Sequence, residues 1–386
     1  MRRLGKVLGV AALATSLGGC WIQPGFDAGR GNWNPDETAI TPGNVDQLVE
    51  LWAHDTGDLP VGAPLSVNGK VFAGVSNPAG QHQAVSLDGA TGAVLWEGGR
   101  DSQGTTLHDP VYLDGNIMFP ANIFKFGQIS KVSAATGEDA GFVATNGVFS
   151  AAVADGELAF ADGTYGSQVP SPIAARIKWR YSVTQLLLSN DPFRPSEHFA
   201  IVGDRILWGF GPQALGYAPC GAASCAEAWR TDLGGKPIGV AAVDSGYAVY
   251  VLDTGAVTVV DVVTGAIRWT SDVGAATAPA VAGGDIVVGT GDGRIVALEA
   301  ASGAPLWDAA VGATVDRQPL VGGDVVYATA GSDLVVFDLS GCGAATCTSL
   351  TTIDVGAVVS GGPIVDDGRL VVGTDDGRIV AFGLSK

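Results

Sequence analysis

The sequence is short of cations. Its 386 residues hold 21 Lys and Arg against 39 Asp and Glu, with only four His and two Met. A formal charge of −18 repels nucleic-acid phosphates and anionic lipid surfaces, which excludes nucleic acid as a partner. No apolar run reaches the roughly 20 residues that a membrane-spanning helix needs. There is no Gly-x-Ser-x-Gly elbow, no His-Glu-x-x-His and no P-loop, so the commonest hydrolase, zinc-protease and nucleotidase signatures are absent. His54, His82, His108 and His198 lie far apart in sequence, as structural or surface histidines do.

What is present begins with an export signal. A basic stretch, Met1 to Lys6, leads into an apolar stretch from Val7 to Leu17, the length of a signal-peptide core. It ends in Leu17-Gly18-Gly19-Cys20, which resembles the lipobox of bacterial lipoproteins. The resemblance implies removal of residues 1–19 and lipidation of Cys20. The chain is then exported and lipid-anchored at the cell envelope, on a periplasmic or extracellular face, touching the membrane through that anchor alone. Without Arg2, Arg3 and Lys6, 18 basic residues face 39 acidic ones, a formal charge of −21.

Internal repetition is the strongest signal. Residues 279–298 and 363–382 align without a gap; the second copy reads Val-Gly-Thr-Asp-Asp-Gly-Arg-Ile-Val-Ala-Phe at its end. Each copy is a short apolar strand, a glycine turn, a second apolar strand, an Asp-Gly turn and a third strand. Fuller copies add a Thr/Ser-Gly turn and a strand carrying Trp96, Trp229, Trp269 or Trp307, expected at packing positions. First-turn glycines at 69, 115, 156, 203, 246, 284, 323 and 368 are 38 to 47 residues apart, the period of a four-stranded propeller blade. The expected fold is all-β: an eight-bladed, monomeric β-propeller of four-stranded antiparallel blades spanning 46–386, after an anchor and lead-in at 20–45. The last copy lacks its Trp strand, and an orphan one, Leu48-Val-Glu-Leu-Trp52, lies near the start. That N-terminal strand is expected to close the ring.

The pattern Val-Gly-Thr-x-Asp-Gly-x-x-x-Ala-Leu, then Thr/Ser-Gly and Trp, resembles the PQQ-type propeller repeat of quinoprotein dehydrogenases and of BamB-like assembly lipoproteins. The segment from Gly25 to Leu48 is similar to the lead-in of polyvinyl-alcohol-dehydrogenase-like members. For an enzyme, the resemblance implies PQQ in the central channel, calcium held by Glu, Asn and Asp, and an Asp base. Such enzymes also carry a vicinal Cys-Cys pair, and some a Cys-x-x-Cys-His haem site; neither occurs here. No catalytic, cofactor or metal residue is therefore assigned. The acidic pairs at Asp292-Gly293 and Asp375-Asp376 read as hairpin turns rather than calcium loops.

Four cysteines remain in two similar cassettes, Cys220-Gly-Ala-Ala-Ser-Cys225 and Cys342-Gly-Ala-Ala-Thr-Cys347, each read as a disulfide-closed turn between third and fourth strands. The first half also carries additions at 99–109, 121–128 and 162–198. The last interleaves Arg176, Lys178, Arg180 and Arg194 with Trp179, Tyr181 and Phe193, a candidate partner-docking loop on an acidic body. The leading function is a non-enzymatic envelope scaffold for an envelope protein partner, with no cofactor. The alternatives are a PQQ- and calcium-dependent oxidoreductase and a sugar- or peptide-binding propeller.

Overall fold

The computed structural model describes residues 20–57, 62–76, 82–98, 105–107, 109–123, 126–145, 148–154, 157–162, 177–182, 199–220, 225–243 and 246–385. Among them the only helical element is a single 3-10 turn, Val45–Gln47; everything else regular is strand.

Those strands form eight sheets, numbered here in chain order of their inner strands. The inner strands are Leu65–Val67, Val111–Leu113, Val148–Ala154, Phe199–Val202, Pro237–Val243, Ala280–Ala282, Leu320–Gly322 and Ile364–Asp366. Each contacts the next, and the eighth contacts the first, so the sheets close into a propeller ring. Seven of the eight first-turn glycines lie among the described residues and have positive φ, including those of Asn68-Gly69, Asp114-Gly115 and Asp367-Gly368, where both residues are left-handed. Apolar runs such as Tyr247–Leu252 and Val325–Ala330 are buried at every position. Both their faces pack against neighbouring sheets, and the hydrophobic clusters lie between adjacent sheets.

Tryptophan links one sheet to the next. Trp229 of sheet 4 donates Nε1–H to the Val262 carbonyl of sheet 5 at 3.0 Å, and its ring lies over Gly265. A Cβ on Gly265, whose φ is +71°, would stand 2.5 Å from that ring. Trp52, Trp96, Trp269 and Trp307 make the same donation to Gly89, Ala134, Ala300 and Leu339. The strand Leu48–Asp55 pairs antiparallel with Arg378–Leu384 and completes sheet 8, so the expected closing strand is in place.

Four sheets depart from the four-stranded antiparallel expectation, sheet 2 among them with five strands. Sheet 3 has three described strands, and its outermost, Ile177–Ser182, runs parallel to Glu157–Asp162. A parallel pair needs a connection of about a dozen residues, and the insertion at 163–176 supplies that length. Sheets 6 and 7 each gain a fifth strand, Thr346–Cys347 and Trp33–Asn34 respectively. The additions at 99–109 and 121–128 also meet: Thr105–Leu107 pairs with the far end of a lengthened hairpin, Asn116–Ile123 and Phe126–Ser133.

Candidate functional site

Antiparallel sheets give the ring two unlike ends. The first turn and the Thr/Ser-Gly turn of a sheet share one end, bonded to each other as in Gly89 N–H to Gly69 C=O. The Asp-Gly turns and the connections between sheets share the other. There Thr290 and Thr374 donate to Asp292 and Asp376 across each turn, so these carboxylates are turn caps, as expected.

The axis holds what the sequence did not disclose. Inner strands have one free edge facing the centre, and the lead-in runs along it. Ser66 N–H donates to Trp21 C=O, Tyr112 N–H to Ile22 C=O, and Ile201 N–H to Ala28 C=O at 2.7 Å. The Gln23 amide makes two bonds to the Val153 main chain, 2.9 and 2.7 Å long. Val281 and Val321 donate to Gly31 and Asn32 carbonyls, and Asn34 Nδ2 reaches the Val365 carbonyl at 2.8 Å. Sheets 1, 2, 3, 4, 6, 7 and 8 are thus touched in turn. Arg30, fully buried, donates Nε–H to the Phe199 carbonyl and lies 5.7 Å from that ring centroid. Burial pushes its guanidinium down to about 10, opposed by Asp109 and Asp27, so it stays charged. The only sequence trace of this arrangement is a cluster of amides, Gln23, Asn32 and Asn34, and one arginine in a segment without periodicity.

A PQQ quinone would need an open axial pocket here and carboxylates for calcium. Instead this end of the axis is filled by residues 20–34, whose polar groups hold the inner strands. Among the described residues no three His, Cys, Asp or Glu side chains cluster to hold a metal. Among the described residues, those bonded to the inner strands at this end offer neither such a pocket nor a set of carboxylates for calcium.

Cys20 sits at the turn end, half-buried beside the Asn68-Gly69 turn, with burial pushing its thiol up, the Asn68 backbone opposing, and Asp366 and Asp367 adding to the rise. Nearby, the Ser66 hydroxyl donates to Asp366 Oδ2 at 2.5 Å across the seam between sheets 1 and 8. Asp366 is 5% exposed, and its Oδ1 has no partner among the described residues. Burial first, then the carboxylates of Asp367 and Glu37, push Asp366 up to about 6, while Ser66 and Arg369 pull it down. A carboxyl raised in the fold stabilises it fully below the ordinary value near 3.8, and that contribution is lost as pH rises through about 6. Stability should therefore fall by about 2 kcal/mol between pH 4.5 and 7.5 from this group. Asp366→Asn should remove that slope in denaturant melts at the two pH values.

The cassettes lie at the same end. Cys342 and Cys347 form a disulfide, and the turn they close reaches across to sheet 6, where Asp308 N–H donates to Ala345 C=O and Thr346 Oγ1 to Asp308 Oδ1. It covers the edge of Pro305–Ala310. Cys220 and Cys225 face each other across their strand pair; their side chains and residues 221–224 lie outside the described residues. For a loop this short, Cys342→Ser with Cys347→Ser should cost about 2 kcal/mol, read from denaturant midpoints.

The candidate docking residues fall mostly outside the description. Lys178, Trp179, Arg180 and Tyr181 have backbone in the outer strand of sheet 3, their side chains not described; Arg176, Phe193 and Arg194 lie outside the described residues, as do 1–19. The strands flanking 99–104, 124–125 and 183–198 deliver the chain to the end opposite Cys20. Among the described residues no helix is long and apolar enough to cross a membrane.

A family model described as outer membrane protein assembly factor BamB matches residues 220–345. Among solved structures, the computationally designed Ika8 protein has a TM-score of 0.61 at 16% identity, covering 88% of this chain and 99% of that one. Quinohemoprotein alcohol dehydrogenase ADHIIG from Pseudomonas putida HK5 has a TM-score of 0.56 at 11% identity, covering 95% and 80%. A europium-containing methanol dehydrogenase has 0.55 at 12%, covering 96% and 99%. These identities carry fold alone. No curated protein matches.

Proposed function

We propose that this β-propeller, whose repeats resemble the PQQ type, is a non-enzymatic lipoprotein scaffold displayed at the cell envelope, exported by residues 1–19 and anchored through Cys20. The observation that carries this reading is the polarity of the ring. Cys20 lies at one end, and the strands flanking the irregular insertions lead to the other. An anchor at the turn end leaves the strand ends flanking 99–104, 124–125 and 183–198 on the side away from the membrane, while Ile177, the residue after Arg176, pairs with Leu158 toward the anchored end. The match to an assembly-factor model supports the same class of role. Repeat proteins commonly bind through insertions gathered on one face. Arg176, Lys178, Arg180 and Arg194, with Trp179, Tyr181 and Phe193, are the proposed contacts on an otherwise acidic body.

The test is made in intact envelopes. Wild-type protein should fractionate with membranes and Cys20→Ser should not. Crosslinking should recover a specific envelope protein, and Arg176→Ala, Lys178→Ala, Arg180→Ala and Arg194→Ala combined should lose it while melting at the wild-type temperature. Recovery of no specific partner would count against the scaffold. Stoichiometric quinone absorbance and dye reduction after adding PQQ and calcium would favour the oxidoreductase instead.

A further inference from the structure

The lead-in contacts the ring as a bound peptide contacts a receptor. Main-chain N–H groups of the inner strands, at Ser66, Tyr112, Ile201, Val281 and Val321, and of Gly323 in the turn that follows, donate to main-chain carbonyls of residues 21–34 in chain order. Pairing through exposed strand edges is the mode by which sheets take up extended peptides. Side chains add selectivity. Trp21 is 1% exposed and packs edge-on to Phe26, with ring centroids 5.3 Å apart. Gln23, Asn32 and Asn34 spend their amides on the ring carbonyls of Val153, Pro319 and Val365. Arg30 enters a fully buried site on Phe199.

The circuit of inner strands closes without a strand from this segment, although Trp21 packs into the hydrophobic cluster at the seam. The inner strands contact one another around the whole circuit, and the seam is closed by Leu48–Asp55, which lies downstream in sequence. The link between segment and closing strand passes through Gly43, which is exposed.

We propose that the axial end of the ring is a binding site for an extended polypeptide, occupied in cis by residues 20–34 of this chain. The ligand class is a peptide that offers main-chain carbonyls in an irregular extended path, with one large aromatic, two or three carboxamides and one arginine to be buried. This inference does not rest on the scaffold reading, and it stands or falls without an envelope partner.

A protease site placed at Gly43 in the full chain allows the test on folded protein. After cleavage, the fragment ending at residue 43 should remain with the ring through gel filtration. A labelled synthetic peptide of residues 20–40 should exchange into the site, read by fluorescence anisotropy. A peptide carrying Asn34→Ala should bind roughly tenfold more weakly, the effect of the Val365 carbonyl left unmatched, and Gln23→Ala should weaken it at least as much, since both the N–H and the carbonyl of Val153 lose a partner. The ring stripped of fragment should keep a cooperative melt by circular dichroism. A fragment that leaves and cannot be replaced by the peptide would overturn the proposal. So would a ring that unfolds once the fragment is removed, since the segment would then be part of the wall.

Discussion

A chain lacking residues 46–54 should aggregate, or lose its cooperative thermal transition. The deleted stretch holds most of Leu48–Asp55, the strand that completes sheet 8 on Arg378–Leu384. It includes Trp52, whose Nε1–H meets the Gly89 carbonyl of sheet 1 at 3.0 Å. Without it, the last sheet presents an unpaired edge whose Ile379 to Phe382 run is buried in the intact ring. An apolar, uncharged edge of that kind templates pairing with other chains. The loss also opens the seam where Ser66 meets Asp366. Size-exclusion chromatography and a circular-dichroism melt decide the matter. A soluble variant with one sharp transition would remove the closing role from this strand.

Trp229→Ala should severely damage the interface between sheets 4 and 5, costing about 3–5 kcal/mol. The ring is 9% exposed and lies in the cluster joining sheets 4 and 5, with Leu207, Val240, Tyr250 and Val260. Truncation leaves a cavity over Gly265 and an unmatched Val262 carbonyl. Trp229→Phe keeps much of the ring but not the N–H, and should cost about 1–3 kcal/mol. Gly265→Val approaches the same contact from the other side, where a Cβ has no room and φ is positive, and should destabilise as well. Denaturant midpoints at constant m-value order the three. A Phe variant as damaged as the Ala variant would mean that the hydrogen bond, rather than packing, holds these sheets together.

Much of this fold is legible in the sequence because it repeats. Asp114-Gly115 and Asp367-Gly368 announce positive-φ turns, and the Asp261 to Thr264-Gly265 turn announces itself by its cap. In the structure Asp261 accepts from Val263, Thr264 and Arg268, which holds its carboxyl well below the usual range, the Arg268 bond contributing most. Trp52 was legible too, as a fourth strand without three partners of its own. Sheet 3 was not, because a parallel outer strand at Ile177–Ser182 follows an insertion that breaks the period. The axial segment was the least legible. Its bonds join Asn34 to Val365 and Gln23 to Val153, partners set by the closure of the whole ring and by no local pattern. Left-handed φ at Phe26, Arg30 and Asn32, none of them glycine, marks how far the path is dictated by what it touches.

The lead-in also decides how the molecule bears a pull. Tension applied at Cys20 meets Trp21 on sheet 1 first, then Ile22 on sheet 2 and Gln23 on sheet 3, and only afterwards the strand that closes the ring. The attachments lie in series, the first reinforced by the buried Trp21 ring, so they should yield one after another, each lengthening the tether by a few residues. A chain built in this way takes up load along the axis while its blades stay shut.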